Sequence, residues 1–82
     1  MSLFLASDHF GYPLKKVIAD HLREKEVEFE DLGVNSEDEV VDYPDIALKA
    51  CLTIREGKHQ YGILVCGTGL GMAMAANKIP GI

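Results

Sequence analysis

Basic residues are scarce in this chain. Eight Lys and Arg stand against thirteen Asp and Glu over 82 residues, a formal net charge of −5. Contacts to phosphodiesters and anionic headgroups are made by clustered Lys and Arg, so neither a nucleic acid nor a membrane surface is the expected partner. Cysteine is nearly missing as well: Cys51 and Cys66 fit no CxxC pattern and have no histidines at ligand spacing. A disulfide scaffold and a zinc site are therefore not expected, no cofactor is called for, and a reducing cytoplasm is the expected location. No apolar run reaches the ~18 residues of a membrane helix. The apolar start Met1–Leu5 meets Asp8 too soon to read as a signal peptide. Repeats, low-complexity tracts and linkers are absent too. What remains is ordinary globular composition, 48% hydrophobic and 26% charged, which argues against disorder. The length suits one domain and not two, and a chain this short buries only roughly 60% of its unfolded surface.

Along the chain, strand-like runs alternate with helix-like stripes. Ser2–Ser7 is a nearly continuous apolar run, as in a strand covered on both faces. Asp8-His9-Phe10-Gly11 forms a turn, and Pro13 suits the first turn of a helix ending near Lys25. Leu14, Val17, Ile18, His21 and Leu22 make its apolar face. Glu26–Leu32 alternates, with Val27, Phe29 and Asp31 on one side, and reads as a second strand at an edge. After an acidic loop over Gly33–Asp42, Asp42-Tyr43-Pro44 starts a second helix with Ile46, Ala47, Ala50, Cys51 and Ile54 as its buried stripe. Tyr61–Cys66 is a third, strongly apolar strand. Gly67-Thr68-Gly69-Leu70-Gly71 is a glycine-rich turn, and Met72–Lys78 a third helix broken by Ile79-Pro80-Gly81.

The order βαβαβα predicts an α/β fold with an open parallel sheet and right-handed crossovers. Three strands are half of a doubly wound sheet, so the chain reads as the N-terminal part of a longer protein. Ligands of such sheets bind beyond the carboxyl ends of the strands, where the strand order reverses. In a 2-1-3 order that point joins Asp8-His9 to the segment from Cys66 to Gly71.

Each of these features also has a purely architectural reading. The glycine turn matches neither GxxxxGK[ST] nor GxGxxG; it is either a tight strand-to-helix turn or an anion cradle of backbone N–H groups. Free cysteine is usually buried and inert, which suits Cys51. Cys66 instead ends a strand beside a helix N-terminus, whose donors favour thiolate, so its position favours reactivity. Asp8 and His9 are either a turn pair, with Asp8 capping the next helix, or part of the site. His21 reads as a core or boundary residue, His59 as a loop residue, Met72 and Met74 as core filling, and Glu24–Asp31 as a solvated acidic surface.

Three segments together resemble the type B ribose-5-phosphate isomerases of the wider ribose and galactose sugar-phosphate isomerase family. They are Asp8-His9-x-Gly11, Asp42-Tyr43-Pro44, and Ile63-Leu64-Val65-Cys66-Gly67-Thr68-Gly69-Leu70-Gly71 followed by Ala75-Ala76-Asn77-Lys78. The resemblance is collinear over the whole chain, and the cysteine-glycine segment is its most specific part. It implies a three-layer Rossmann-like domain whose first three βα units are residues 1–82. It also implies interconversion of ribose 5-phosphate and ribulose 5-phosphate through an enediolate, with no cofactor and no metal. Cys66 would be the base, with Thr68 supplying a hydroxyl beside it. The backbone of Gly67, Gly69, Leu70 and Gly71 would hold the oxyanion, Asp8 and His9 would contact the sugar, and Tyr43 would line the pocket. The family's ring-opening histidine and phosphate-gripping arginines belong to its other half, and a homodimer or homotetramer is expected at full length. An isomerase of a six-carbon sugar phosphate (galactose or allose 6-phosphate) and a non-catalytic phosphosugar-binding subunit are the alternatives.

Overall fold

A computed structural model describes residues 2–82; Met1, part of the apolar start read above, lies outside them. The elements are β1 (Leu3–Ser7), α1 (Tyr12–Glu24), β2 (Glu30–Asp31), α2 (Tyr43–Arg55), β3 (Tyr61–Val65) and α3 (Leu70–Asn77). The strands form one parallel sheet in the order β2-β1-β3, with Phe4 opposite Glu30, Leu3 opposite Tyr61 and Ser7 opposite Val65. This is the α/β arrangement and the 2-1-3 order that the apolar pattern predicts. β1 takes the centre because every one of its residues can be buried, and every one is.

Strand alternation divides the core in two. Leu5 packs with Ala19 and Val65 under α1, joined by Ile18, Leu22, Phe29 and Ile63. Phe4 and Ala6 point the other way, against Ala50 and Cys51 of α2, Ala76 of α3 and Ile79 just beyond it. One helix therefore covers one face and two cover the other, giving three layers, as crossovers of a single hand require. Among the described residues, no helix is long and apolar enough to cross a membrane.

Several local expectations are corrected. The buried face of α1 is turned toward Lys15 and Ala19, while Leu14 and Val17 are 55% and 63% exposed and His21 lies in solvent. The reason is a partner on another element: Lys15 finds Asp31 at the end of β2, which lets a lysine occupy a core position. Asp31 is accordingly not part of a uniformly solvated acidic run. β2 is far shorter than Glu26–Leu32 because the end of α1 draws in the chain before it. Lys25, Glu26 and Val27 donate their N–H groups back to His21, Arg23 and Leu22, with Glu26 at φ 57°. β3 stops at Val65, leaving Cys66 just past the strand, and Tyr61 and Gly62 are exposed on this edge. The Phe4 ring fills the space where a side chain at position 62 would stand, its nearest atom 2.0 Å from that Cβ position. α3 starts at Leu70, two residues early, and Met74 is exposed, whereas Met72 is core. The α2 stripe is as expected: Ala47, Ala50 and Cys51 are buried, and Ile46 and Ile54 pack beside them.

Candidate functional site

The carboxyl ends of β1 and β3 lie side by side, so the segments that follow them are forced together. The Asp8 N–H donates to the Val65 carbonyl at 3.2 Å. Gly11 is where the backbones approach most closely: a Cβ there would lie 2.4 Å from the Val65 oxygen and 2.9 Å from the Cys66 nitrogen. Only glycine lets the start of α1 sit against the residue carrying the thiol.

Asp8 is 5% exposed, and its Oδ1 accepts the Gly11 N–H at 2.8 Å. That bond closes the Asp8–Gly11 turn, so Asp8 and His9 do form the turn pair considered above, but Asp8 does not cap the helix: α1 starts from Gly11 and receives no side-chain cap. His9 is half-buried, its ring tilted against Phe10 at 4.4 Å between centroids. Its Nδ1 accepts the Val41 N–H at 3.3 Å. An imidazole nitrogen that accepts carries no hydrogen, so in neutral His9 the proton is on Nε2.

Across the crevice, the partly buried Cys66 Sγ accepts the Gly69 N–H at 3.0 Å. Gly69 is the residue before α3 and has φ 80°, the left-handed conformation that turns its N–H back toward the sulfur. Thr68 Oγ1 accepts the Leu70 N–H at 3.2 Å, which leaves the hydroxyl hydrogen free to donate. The N–H groups of Gly67, Thr68, Gly71 and Met72 have no partner among the described residues, so four donors remain along the segment that runs from Cys66 into the first turn of α3. The glycine segment is thus both a tight turn and a cluster of free donors. Tyr43, at the start of α2, lies against Gly71: a Cβ there would be 2.9 Å from its ring. The half-exposed Tyr43 ring and the exposed Phe10 and Leu70 side chains form an apolar rim.

The candidate site residues Asp8, His9, Tyr43, Cys66 and Gly67–Gly71 therefore gather at one end of the sheet. The two cysteines separate clearly: Cys51 is buried under α2, and burial pushes its thiol above the ordinary value of 9.0. Three contributors were not visible in the pattern. The Val41 N–H that orients His9 comes from an irregular loop. The Lys15–Asp31 pair stands behind β1 and β2. Ser7 ends β1 with a fully buried hydroxyl that has no partner among the described residues. A serine closing an otherwise apolar strand was the available signal for the last of these.

A second polar cluster lies at the opposite end. His59 lies in the loop before β3, as expected, and acts there as a clasp: its Nδ1 lies 2.8 Å from Ser2 Oγ and its Nε2 2.9 Å from Glu30 Oε1. With Leu3, Glu28 and Phe29 these residues line a cleft of about 270 Å³.

The family model described as Ribose/Galactose Isomerase matches residues 3–82. The chain is 45% identical over 82 residues to the probable ribose-5-phosphate isomerase B of Mycoplasma genitalium, covering 99% of this chain and 54% of that protein. It is 46% identical to the ribose-5-P isomerase B of Listeria innocua, covering 100% and 55%. Its fold matches the solved ribose-5-phosphate isomerase B of Clostridium thermocellum with a TM-score of 0.92 and 48% identity, over 100% of this chain and 55% of the other. The chain thus spans about half the length of the relatives it matches.

Proposed function

The chain belongs to the ribose/galactose isomerase family, and from that premise we propose that residues 1–82 are the N-terminal part of one Rossmann-like domain that interconverts ribose 5-phosphate and ribulose 5-phosphate. The observation that carries this reading is the Cys66 sulfur at the head of a segment carrying backbone N–H groups without partners among the described residues, opposite Asp8 and His9. In the open-chain aldose, Cys66 takes the proton from C2. The C2–H electron pair forms the C1–C2 double bond, and the aldehyde oxygen takes the negative charge. Donors of the Gly67–Gly71 segment meet that oxygen; one such donor is typically worth about 3 kcal/mol of barrier. Return of the proton to C1, with transfer of the O2 proton to O1, completes the ketose. The free Thr68 hydroxyl hydrogen supports the sulfur, while Nε2–H of His9 and the remaining Asp8 oxygen bind sugar oxygens beside the Tyr43 ring. This chemistry needs a base and fixed donors and no cofactor.

The exposed apolar residues Phe10, Leu14 and Val17 on one side, and Leu70 and Met74 on the other, support a larger assembly, a homodimer or homotetramer of the protein that carries this chain. The net negative charge is consistent with a cytoplasmic small-molecule enzyme. The test is isomerisation by the full-length protein, offered ribose 5-phosphate, galactose 6-phosphate and allose 6-phosphate in parallel. Turnover of the pentose phosphate that disappears with Cys66→Ala supports the proposal. Preferential turnover of a hexose phosphate replaces the substrate, and binding without turnover identifies a phosphosugar-binding subunit.

A further inference from the structure

Lys15 and Asp31 are not themselves site residues, yet they close a ring of contacts that includes Asp8. Lys15 is 2% exposed, and its Nζ donates to both carboxylate oxygens of Asp31 at 2.6 and 2.7 Å. Asp31 Oδ1 also accepts the Gly33 N–H at 2.9 Å. The Gly33 carbonyl in turn accepts the Ser7 N–H at 2.8 Å, and the Val34 N–H donates to the Ser7 carbonyl at 2.9 Å. On the other side, Asp8 Oδ1 accepts the Gly11 N–H, and the Gly11 carbonyl accepts the Lys15 N–H at 2.9 Å. The ring runs from Lys15 through Asp31, Gly33 and Ser7 to Asp8, and returns through Gly11.

Residues 33–42 form the connection that this ring anchors. They contain no helix or strand and carry an exposed acidic tip at Glu37–Glu39. Their start is pinned at Gly33 and Val34, and near their end the Val41 N–H meets His9 Nδ1. A buried ammonium demands its carboxylate, so Asp31 has one place to stand, and Gly33 with it. We propose that Lys15 and Asp31 are positioning residues for His9: by fixing the start of the 33–42 connection they hold the Val41 N–H on Nδ1 and keep the proton on Nε2. This inference rests on the functional reading above for the consequence in turnover, but not for the state of the ring.

The experiment uses the full-length protein and two readouts. Long-range proton–nitrogen correlation spectra of 15N-histidine protein, at a pH where His9 is neutral, report its tautomer. Steady-state kinetics with ribose 5-phosphate report KM and kcat separately. In the unsubstituted protein His9 is expected as the single Nε2–H tautomer. Lys15→Met and Asp31→Asn are expected to give a mixture of tautomers in a folded protein. KM should rise about tenfold, the factor that one lost hydrogen bond to the sugar is worth. kcat should change little, because Cys66 and its donors stand on another strand. Lys15→Arg, which keeps the charge, should restore the single tautomer, and Asp31→Glu serves if the first two fail to fold. A folded variant with an unchanged His9 tautomer overturns the inference, whatever happens to its stability. An unsubstituted protein that shows the single tautomer but turns over no phosphosugar would instead defeat the functional reading alone.

Discussion

The two ends of the sheet each present a histidine within a polar cluster, and they differ in what is left over. At the amino end both nitrogens of His59 are engaged, by Ser2 and Glu30, and its ring meets Phe4 edge-on at 6.0 Å. That imidazole keeps no nitrogen free for a ligand. At the carboxyl end His9 has one nitrogen held by Val41, Cys66 accepts a single N–H, and four backbone donors are without partners among the described residues. A satisfied network stabilises a fold; one whose members share unmet capacity on a common crevice is suited to chemistry. The comparison also explains why the cleft of about 270 Å³ at the amino end is not the candidate site although it holds a serine, a histidine and a glutamate. Ser2 Oγ already donates to the Lys58 carbonyl at 3.0 Å, so that cluster is a strand clasp.

The sharpest test of this contrast is Cys66→Ala. Loss of a positioned base lowers kcat by about 10²–10⁴-fold, with KM little changed. Cys51→Ala in the same assay should leave turnover near that of the parent, and a Cys66→Ala enzyme that keeps most of its kcat would remove the thiol from the mechanism. Next in size is Asp31→Ala, which leaves the Lys15 ammonium buried and unpaired. The expected loss is about 3 kcal/mol, the low end for a broken buried pair because Asp31 is partly exposed. Urea denaturation of the full-length protein measures it, and a loss below that of an ordinary surface substitution would mean that Lys15 reaches solvent when unpaired.

Gly11→Ala must part the α1 start from the Val65–Cys66 backbone, at a cost of about 2 kcal/mol as overpacking against atoms that cannot swing away. Gly69→Ala meets nothing within 4 Å and carries only the left-handed strain of about 1–2 kcal/mol. A Gly69→Val substitution should likewise show strain rather than a clash inside the protein. A Gly11→Ala protein with the parent's urea midpoint would contradict the close approach. The histidines should then exchange phenotypes. His59→Ala should lower stability by about 1–2 kcal/mol through two lost hydrogen bonds and leave turnover intact. His9→Ala should reduce turnover with little change in stability, and a stable, active His9→Ala protein would dissolve the distinction between the two ends.

The smallest effect concerns pH. Burial raises the Cys51 thiol above 9.0, so above that pH the unfolded chain releases a proton that the folded chain keeps. Stability must then fall as pH rises, and Cys51→Ala should flatten that alkaline slope. Parallel slopes for the two proteins would show that Cys51 ionises as easily folded as unfolded.

Much of the site was legible because its residues follow strand ends. Once β1 and β3 are neighbours, Asp8-His9 and Cys66–Gly71 must meet, and both strands announce themselves as apolar runs. The resemblance supplied the roles of those residues. Less legible were positions whose character depends on a distant partner. Leu14 and Val17 fit the helical period as well as Ile18 and Leu22 do, and nothing in that period marks Lys15 as core. The length of β2 misled for a different reason: alternation over 26–32 is real, but the N–H groups of Glu26 and Val27 are spent on α1.

By itself, then, the sequence determined the alternation of strands and helices, the central place of the nearly continuous apolar run of β1, and the presence of a thiol followed by a glycine-rich turn. These depend on local hydropathy and on residue types whose conformational limits travel with them. Only the tertiary structure decided that Lys15 is core and Val17 is not, that His59 is a clasp and His9 is half free, and that the Gly69 N–H turns to the Cys66 sulfur. Each of those outcomes is a hydrogen bond or ion pair. The strength of such a bond depends on which remote group the fold brings within 3 Å or so, and on whether water is shut out there, and neither is written in the spacing of residues along the chain.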